Sequence, residues 1–324
     1  MLSLFTFPGQ GSSANLLVFK SLLQNLPIVI KQKQINKELL NLIFQTPTNP
    51  GSKTVISALL FHHYTLNHNN TFTNAVSIGH SLGELSCLTI NGLFNLQDAY
   101  EIANYRNDMM IKHTLNYLMQ KKALSNEQFE LVAILNKNSK KFDINLPEVE
   151  QLINNTSITI ANINSKDQIV LTGLSKDIEI LTPQLPSNLK LKKLINPNNI
   201  PFHNNAILNP LRLDLKNFMY TRLNSNVNKL KIPIISNYNC QLTESIDSAI
   251  ENFIDSTVNT VQFNKSIDKL FTDNNTQKIP GKIVSFGPGN NIHNLLKKNL
   301  IIPQQTRDSM IDYTDVDSIV SLET

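Results

Sequence analysis

Val76-Ser77-Ile78-Gly79-His80-Ser81-Leu82-Gly83-Glu84-Leu85 is the stretch that decides the fold: a short apolar run, a Gly-x-Ser-x-Gly turn, and the opening of an apolar-periodic helix. This is the pattern of a nucleophile elbow, a strained strand-to-helix turn that lifts a serine hydroxyl clear of the backbone. Gly79 and Gly83 have no Cβ atoms, so strand and helix can close tightly around the turn. The bare Gly-Ser-Gly pattern carries little weight. Here Val76 and Ile78 supply the strand, while Leu82, Leu85 and Leu88 supply the helix. Leu82 begins that helix with a free N–H directed at whatever Ser81 attacks, a setting suited to a negatively charged oxygen.

Working outward, six of the 10 glycines fall in three places: Gly9-Gln10-Gly11, Gly79/Gly83 and Gly287-Pro288-Gly289. Each follows an apolar run, Leu4 to Phe7, Val76 to Ile78 and Ile283 to Phe286. Glycine turns at strand carboxyl ends predict one site at the lip of an α/β sheet. Helical spacing marks Leu16 to Leu23, Ile35 to Phe44, Lys53 to about Asn67, and Leu96 to Met110.

From about Phe129 the pattern changes. Leu131 to Leu135, Ile158 to Asn162, Gln168 to Gly173 and Leu189 to Leu194 read as strands, with helices near Pro147 to Asn154 and Ser175 to Leu185. Two strand-helix-strand units in so short a span predict a ferredoxin-like insert. Ile232 to Ser236 and Lys282 to Phe286 return as strands of the main sheet. The expected fold is α/β: an α/β-hydrolase-like large subdomain at residues 1–127 and 198–324, with a parallel sheet and the elbow, and a ferredoxin-like small subdomain at 128–197.

The chain has 324 residues, 41% of them hydrophobic, enough for a full core. Net charge is +4 with 17% charged residues and no long Lys/Arg run, so no nucleic-acid-binding footprint is expected. No apolar run approaches the roughly 18–20 residues of a membrane span, so no membrane association is expected either. Strand-like Leu2 to Phe7 begins almost at once, and no separate presequence is visible. Cys87 and Cys240 show no metal spacing; a buried reduced thiol is expected at Cys87, which fits a reducing compartment.

A serine nucleophile needs a base. Among seven histidines, His80 adjoins Ser81 on a sharp turn and reads as a packing or hydrogen-bonding residue. His62, His63 and His68 lie toward a polar helix end. His203, in the loop Ile200-Pro201-Phe202-His203-Asn204 between a strand and a helix, is a candidate for the base, and the residues alone leave it as a candidate.

Phe7-Pro8-Gly9-Gln10-Gly11-Ser12, Gly79 to Glu84, Tyr105-Arg106-Asn107-Asp108-Met109-Met110, Asn162-Ile163-Asn164-Ser165, Pro201-Phe202-His203, Thr260-Val261-Gln262-Phe263 and Phe286 to Gly289 occur in this order. Together they resemble the malonyl-CoA:acyl carrier protein transacylases, from Phe5 to about Lys298. The fungal mitochondrial members are the most similar, through the Asn196 to His203 run.

The resemblance implies that Ser81 is acylated, that His203 is its base and later its acid, and that the backbone N–H groups of Gln10 and Leu82 form the oxyanion hole. It implies that Arg106 holds the malonyl carboxylate, with Gln262, Phe202 and Asn162 or Asn164 also at the site. Glu84 is read as stabilising the elbow helix through its dipole. Malonyl-CoA is then a substrate, acyl carrier protein with its phosphopantetheine thiol the partner, and no cofactor or metal is bound. A monomer in the mitochondrial matrix, acting in fatty acid biosynthesis, is expected. A serine hydrolase or thioesterase, and a non-catalytic module that binds acyl carrier protein, are the alternatives. Ser13 and Thr260 depart from the family pattern where Gln and Pro are common, neither at a reacting position. The tail after Pro303 has no counterpart. Lys190 and Lys192, alternating with Leu189 and Leu191, form either a solvated face or a patch for an acidic carrier protein.

Overall fold

The computed structural model describes residues 2–12, 35–68, 74–121, 127–137, 143–272, 281–299 and 312–315. The chain begins β1 (Ser3–Phe7), α1 (Lys37–Gln45), α2 (Pro50–His68), β2 (Ala75–Gly79), α3 (Gly83–Ile90) and α4 (Leu96–Gln120). It continues β3 (Phe129–Asn136), α5 (Leu146–Ile153), β4 (Thr159–Ser165), β5 (Gln168–Leu174), α6 (Ser175–Leu181) and β6 (Leu189–Leu194). It ends α7 (Asn205–Leu208), α8 (Leu211–Tyr220), β7 (Ile234–Ile235), β8 (Leu242–Thr243), α9 (Ile246–Val258), α10 (Phe263–Thr272), β9 (Lys282–Ser285), α11 (Asn291–Asn299) and β10 (Asp312–Asp315). The helix read at Leu16 to Leu23 lies outside the described residues.

Six strands form one sheet in the order β10-β9-β1-β2-β7-β8, parallel except for the β7–β8 pair. Because β9, β1 and β2 are parallel neighbours, the three glycine turns leave the sheet at one edge, where α/β sheets place their sites. The central strands are buried on both faces. Phe5, Phe61, Tyr64 and Phe286 pack edge to face on one side of β1, with ring centroids 5.4–6.4 Å apart. Strand β7 is shorter than Ile232 to Ser236, because Pro233 has no N–H for the ladder; its carbonyl still accepts from Ser77 N at 2.8 Å. The tail contributes β10, with Asp312 opposite Lys282.

The other sheet, β4-β5-β3-β6, is antiparallel throughout, and with α5 and α6 it has the β-α-β-β-α-β order of a ferredoxin-like unit. Val132, Ile134, Val149, Ile160, Leu171 and Ile178 are in its own apolar core. The two sheets meet at Val261, which bridges Asn162: Val261 N donates to the Ala161 carbonyl, and Ile163 N to the Val261 carbonyl, both at 2.9 Å.

Helix starts follow their caps. The Asn95 side chain accepts from Asp98 N to open α4, and Ser245 accepts from Ser248 N to open α9. The elbow depends on glycine in a stricter way. A Cβ on Gly79 would sit 1.9 Å from the Gly83 carbonyl carbon, and one on Gly83 would sit 2.3 Å from the Phe7 carbonyl oxygen. These neighbours are backbone and cannot swing aside. Gly79→Ala is therefore expected to cost about 3 kcal/mol, the upper end of overpacking effects, read as a lowered midpoint in denaturant. An unchanged midpoint would mean that the elbow is looser than described.

Candidate active site

Ser81 and His203 are both non-glycine residues held at positive φ, 51° and 60°. Such a conformation persists only where surrounding contacts fix it. At Ser81 the fixing residue is Asn237, just past β7. Its Oδ1 accepts from Ser81 N at 2.7 Å, and its Nδ2 donates to the Gly79 carbonyl at 2.7 Å. At His203 it is Asn196, whose side chain accepts from Ile200 N at 3.1 Å and donates to the Ile200 and Phe129 carbonyls, both at 3.0 Å. The turn is completed by Asn204 N donating to the Pro201 carbonyl.

The result is a contact between residues 122 positions apart: Ser81 Oγ lies 2.9 Å from His203 Nε2. The tautomer follows from the other ring nitrogen. His203 Nδ1 is 2.7 Å from the Ser256 carbonyl oxygen, which can only accept, so Nδ1 carries the proton and Nε2 presents a lone pair to Ser81. Burial, and then the charge of Arg106, push the His203 pKa down to about 3, so the ring is neutral at physiological pH.

Arg106 projects from α4 into the same space and is only 1% exposed. Its Nε donates to Thr257 Oγ1 at 2.9 Å, Nη1 to Gln10 Oε1 at 3.3 Å, and Nη2 to Ser81 Oγ at 3.5 Å. Three of five N–H groups are thereby used. Among the described residues no carboxylate makes a salt bridge with it. Its guanidinium carbon is 5.9 Å from the Phe253 ring centre.

Gln10 is held from two sides. Its Nε2 donates to Asn107 Oδ1 at 2.9 Å, and Lys53 Nζ donates to its carbonyl oxygen. Half-burial lowers the Lys53 pKa to about 8. The backbone N–H groups of Gln10 and Leu82 are taken by no hydrogen-bond acceptor among the described residues. His80 turns away from Ser81 as expected: its Nε2 meets Asn164 Oδ1 at 2.7 Å and its ring packs on Phe263, with burial lowering its pKa.

Other expected residues fall nearby without joining this network. Phe202 packs against the main core, its ring 6.4 Å from that of His203. Asn162 and Gln262 flank the bridge between the sheets. Gln262 N donates to the Asn237 carbonyl at 2.8 Å, while its Oε1 is buried with no hydrogen bond. Among the described residues neither side chain bonds to Ser81, His203 or Arg106; Asn164 is the insert residue that reaches the elbow.

Glu84 departs from its reading as a helix-dipole residue. It is 2% exposed and binds Asn237 N at 2.6 Å and the Ser256 hydroxyl, and burial raises its pKa to about 8. Asn237, Ser256, Thr257 and Lys53 carried no signal in the sequence beyond being polar residues near strand or helix ends, and Asn107 none beyond its place beside Arg106 in the middle of α4. Cys87 is buried, free and pushed up by burial; Cys240 is free and half-buried. No cluster of three or more His, Cys, Asp or Glu suited to a metal ion occurs among the described residues, and no helix there is long and apolar enough to cross a membrane.

An elbow serine against a neutral histidine, on a parallel sheet with a ferredoxin-like insert, is an arrangement suited to nucleophilic chemistry in an α/β enzyme. The chain is 33% identical to the mitochondrial malonyl CoA-acyl carrier protein transacylase of Saccharomyces cerevisiae, over 98% of this chain and 97% of that protein. It belongs to the malonyl-CoA:acyl carrier protein transacylase family and is an acyltransferase. The fold matches the transacylase of Coxiella burnetii, with a TM-score of 0.73 at 19% identity, over 100% of this chain and 96% of that one. It also matches a malonyl-transacylase solved in complex with its type II polyketide-synthase acyl-carrier protein, with a TM-score of 0.70 at 16% identity, over 100% and 99%. No protein-family profile matches the chain.

Proposed function

We propose that Ser81 carries the malonyl group between coenzyme A and the phosphopantetheine thiol of acyl carrier protein, in fatty acid biosynthesis. Ser81 Oγ attacks the thioester carbonyl carbon of malonyl-CoA while His203 Nε2 takes its proton. The tetrahedral oxyanion rests on the N–H groups of Gln10 and Leu82; removing one such donor typically costs about 3–4 kcal/mol. The C–S bond then breaks, and the coenzyme A sulfur leaves with the proton from His203. The carrier thiol repeats the sequence in reverse, giving its proton to His203 as it attacks the malonyl-serine ester and restoring the Ser81 hydroxyl as the ester bond breaks.

The observation that carries this reading is Arg106: a buried guanidinium 3.5 Å from the nucleophile, with no ion-pair partner among the described residues and two N–H groups left for a carboxylate. A site for an uncharged acyl group has no use for that charge. Intact-mass measurement after exposure to malonyl-CoA tests it. A malonyl adduct that persists in buffer and is discharged by carrier protein is expected. Rapid hydrolysis without carrier would favour a thioesterase, and no adduct a binding module.

Residues 1–127 and 198–324 are proposed to hold the nucleophile and base, with 128–197 as the inserted subdomain. Gln262, Phe202 and Asn162 are proposed to line the acyl pocket. A monomer that binds neither nucleic acid nor membrane is proposed, and the mitochondrial matrix as its compartment, supported by the yeast relative's location. Lys190 and Lys192 are exposed on the edge strand β6, whereas Lys193 pairs with Glu130 at 2.7 Å. If the first two attract an acidic carrier protein, Lys190→Glu with Lys192→Glu raises the carrier KM and weakens its salt dependence, leaving the malonyl-CoA half-reaction unchanged. An unaltered carrier KM at low and high salt assigns these lysines to protecting the sheet edge.

A further inference from the structure

Glu84 follows the elbow by one turn of backbone, its N–H donating to the Ser81 carbonyl at 3.0 Å, and its side chain bonds to neither Ser81 nor His203, yet is tied to both. Its Oε1 accepts from the backbone N–H of Asn237, at 2.6 Å, and the side chain of Asn237 is what holds Ser81 N. Its Oε2 meets the hydroxyl of Ser256, and the Ser256 carbonyl is what holds His203 Nδ1. One carboxyl therefore braces the two segments, after β7 and at the end of α9, that hold the backbone of Ser81 and the ring of His203.

Proton counting favours the protonated form of that carboxyl. Ser256 Oγ lies against Glu84 Oε2 and also 3.0 Å from the Phe253 carbonyl oxygen, an acceptor only. The hydroxyl has a single proton to give. With Glu84 ionised, one of these two contacts joins two oxygens with no proton between them; with Glu84 protonated, both are hydrogen bonds. The protonated form also leaves Arg106 without an internal counter-charge, as a site for an external carboxylate requires.

We propose that Glu84 is a positioning residue that works as a neutral acid, bracing Ser81 through Asn237 and His203 through Ser256 while leaving the charge of Arg106 for the substrate. This rests on Ser81, His203 and Arg106 having the roles given above. Facing Glu84 are Arg106 from α4, Cys87 on its own helix, Cys240 beyond β7, and His203 behind Ser256. Burial holds both thiols and the imidazole neutral, so Arg106 is the one charge acting on it among the described residues. Burial outweighs that attraction and raises the Glu84 pKa to about 8.

Glutamine has the shape of a protonated glutamate: its carbonyl accepts from Asn237 N and its amide N–H donates to Ser256 Oγ. Glu84→Gln, Glu84→Ala and the parent are to be compared for the rate of malonyl-serine formation, by quenched intact-mass measurement from pH 6 to 9.5. Glu84→Ala is expected to lower the maximal rate about 10²-fold, as small misplacements of reacting groups do, with malonyl-CoA KM within about threefold. Glu84→Gln is expected to recover the rate to within about fivefold of the parent. The parent should lose rate above about pH 8, and Glu84→Gln should carry that limb at least one pH unit higher.

Glu84→Gln as slow as Glu84→Ala would show that the anion is the working form and overturn the proposal, as would a Glu84→Ala enzyme as fast as the parent. Should Glu84→Ala fail to fold, the pH profile still decides. Lys53, intact in Glu84→Gln, titrates in the same range, so an alkaline limb unchanged in that variant belongs to Lys53 and overturns the proposal. Absence of any malonyl adduct in the parent is a different result, and refutes the acyl-transfer reading instead.

Discussion

Ser81→Ala is expected to leave no malonyl adduct at all, in a protein whose thermal midpoint stays within a few degrees of the parent. The variant removes one oxygen and keeps the backbone bond from residue 81 N–H to Asn237. Alanine and serine carry a similar strain at a φ of 51°. In the proposed mechanism the same ring removes the serine proton and returns it to the departing thiol, so His203→Ala should slow both half-reactions by about 10²–10⁴-fold. The pH profile gives an independent check. A solvated imidazole near pKa 6.5 would be mostly protonated at pH 5, where the rate would be about 30-fold below that of the neutral base. His203, depressed to about 3, should leave the acylation rate nearly flat from pH 7 to 5. A midpoint near 6.5 would mean that the base sits in water and not in the buried setting described. An adduct on Ser81→Ala would remove Ser81 from the mechanism.

What was legible in the sequence was local, or repeated locally. The elbow declares itself because the hydrophobic period changes from strand to helix across two glycines, within ten residues. The insert was legible because its four strands alternate with helices at short spacing, and the lip because three glycine turns each end an apolar run. The supports of the site were not legible, since they are long-range. Ser81 and Asn237 are 156 positions apart, and Ser256 lies 53 from His203 and 172 from Glu84. In a chain so rich in asparagine, nothing marked Asn237 among the rest, and Asn196 stood out only as the start of the run to His203, with no sign of what it holds. Glu84 shows how tertiary burial overrides a local rule: in the first turn of α3 an acidic residue suits the helix dipole, but the packing of α9 and the segment after β7 over it makes the charged form costly. His203 shows the reverse case, where a loop position already suited to a functional side chain gains its partner, Ser81, only through a contact 122 positions away.

Arg106→Ala is expected to invert acyl preference. Malonyl and acetyl thioesters present the same carbonyl to Ser81 and differ in the free carboxylate, which Arg106 is placed to bind through the N–H groups left after Thr257, Gln10 and Ser81 take theirs. Removing one partner of a buried, hydrogen-bonded charge pair costs about 2–5 kcal/mol, or about 30- to 4,000-fold in malonyl transfer. Acetyl transfer uses only the pair and the oxyanion donors, and should fall little or rise. Two further variants separate charge from shape. Arg106→Lys keeps a cation but not the planar fork, and should recover part of the malonyl rate. Arg106→Met keeps much of the packing over Phe253 and Thr257 without charge, and should behave like alanine toward malonyl-CoA. Competition between the two thioesters on one enzyme sample gives the ratio free of errors in active concentration. An equal loss for both substrates in Arg106→Ala and Arg106→Met would make Arg106 a scaffold for Ser81 and Gln10 and leave the carboxylate to be read by another group.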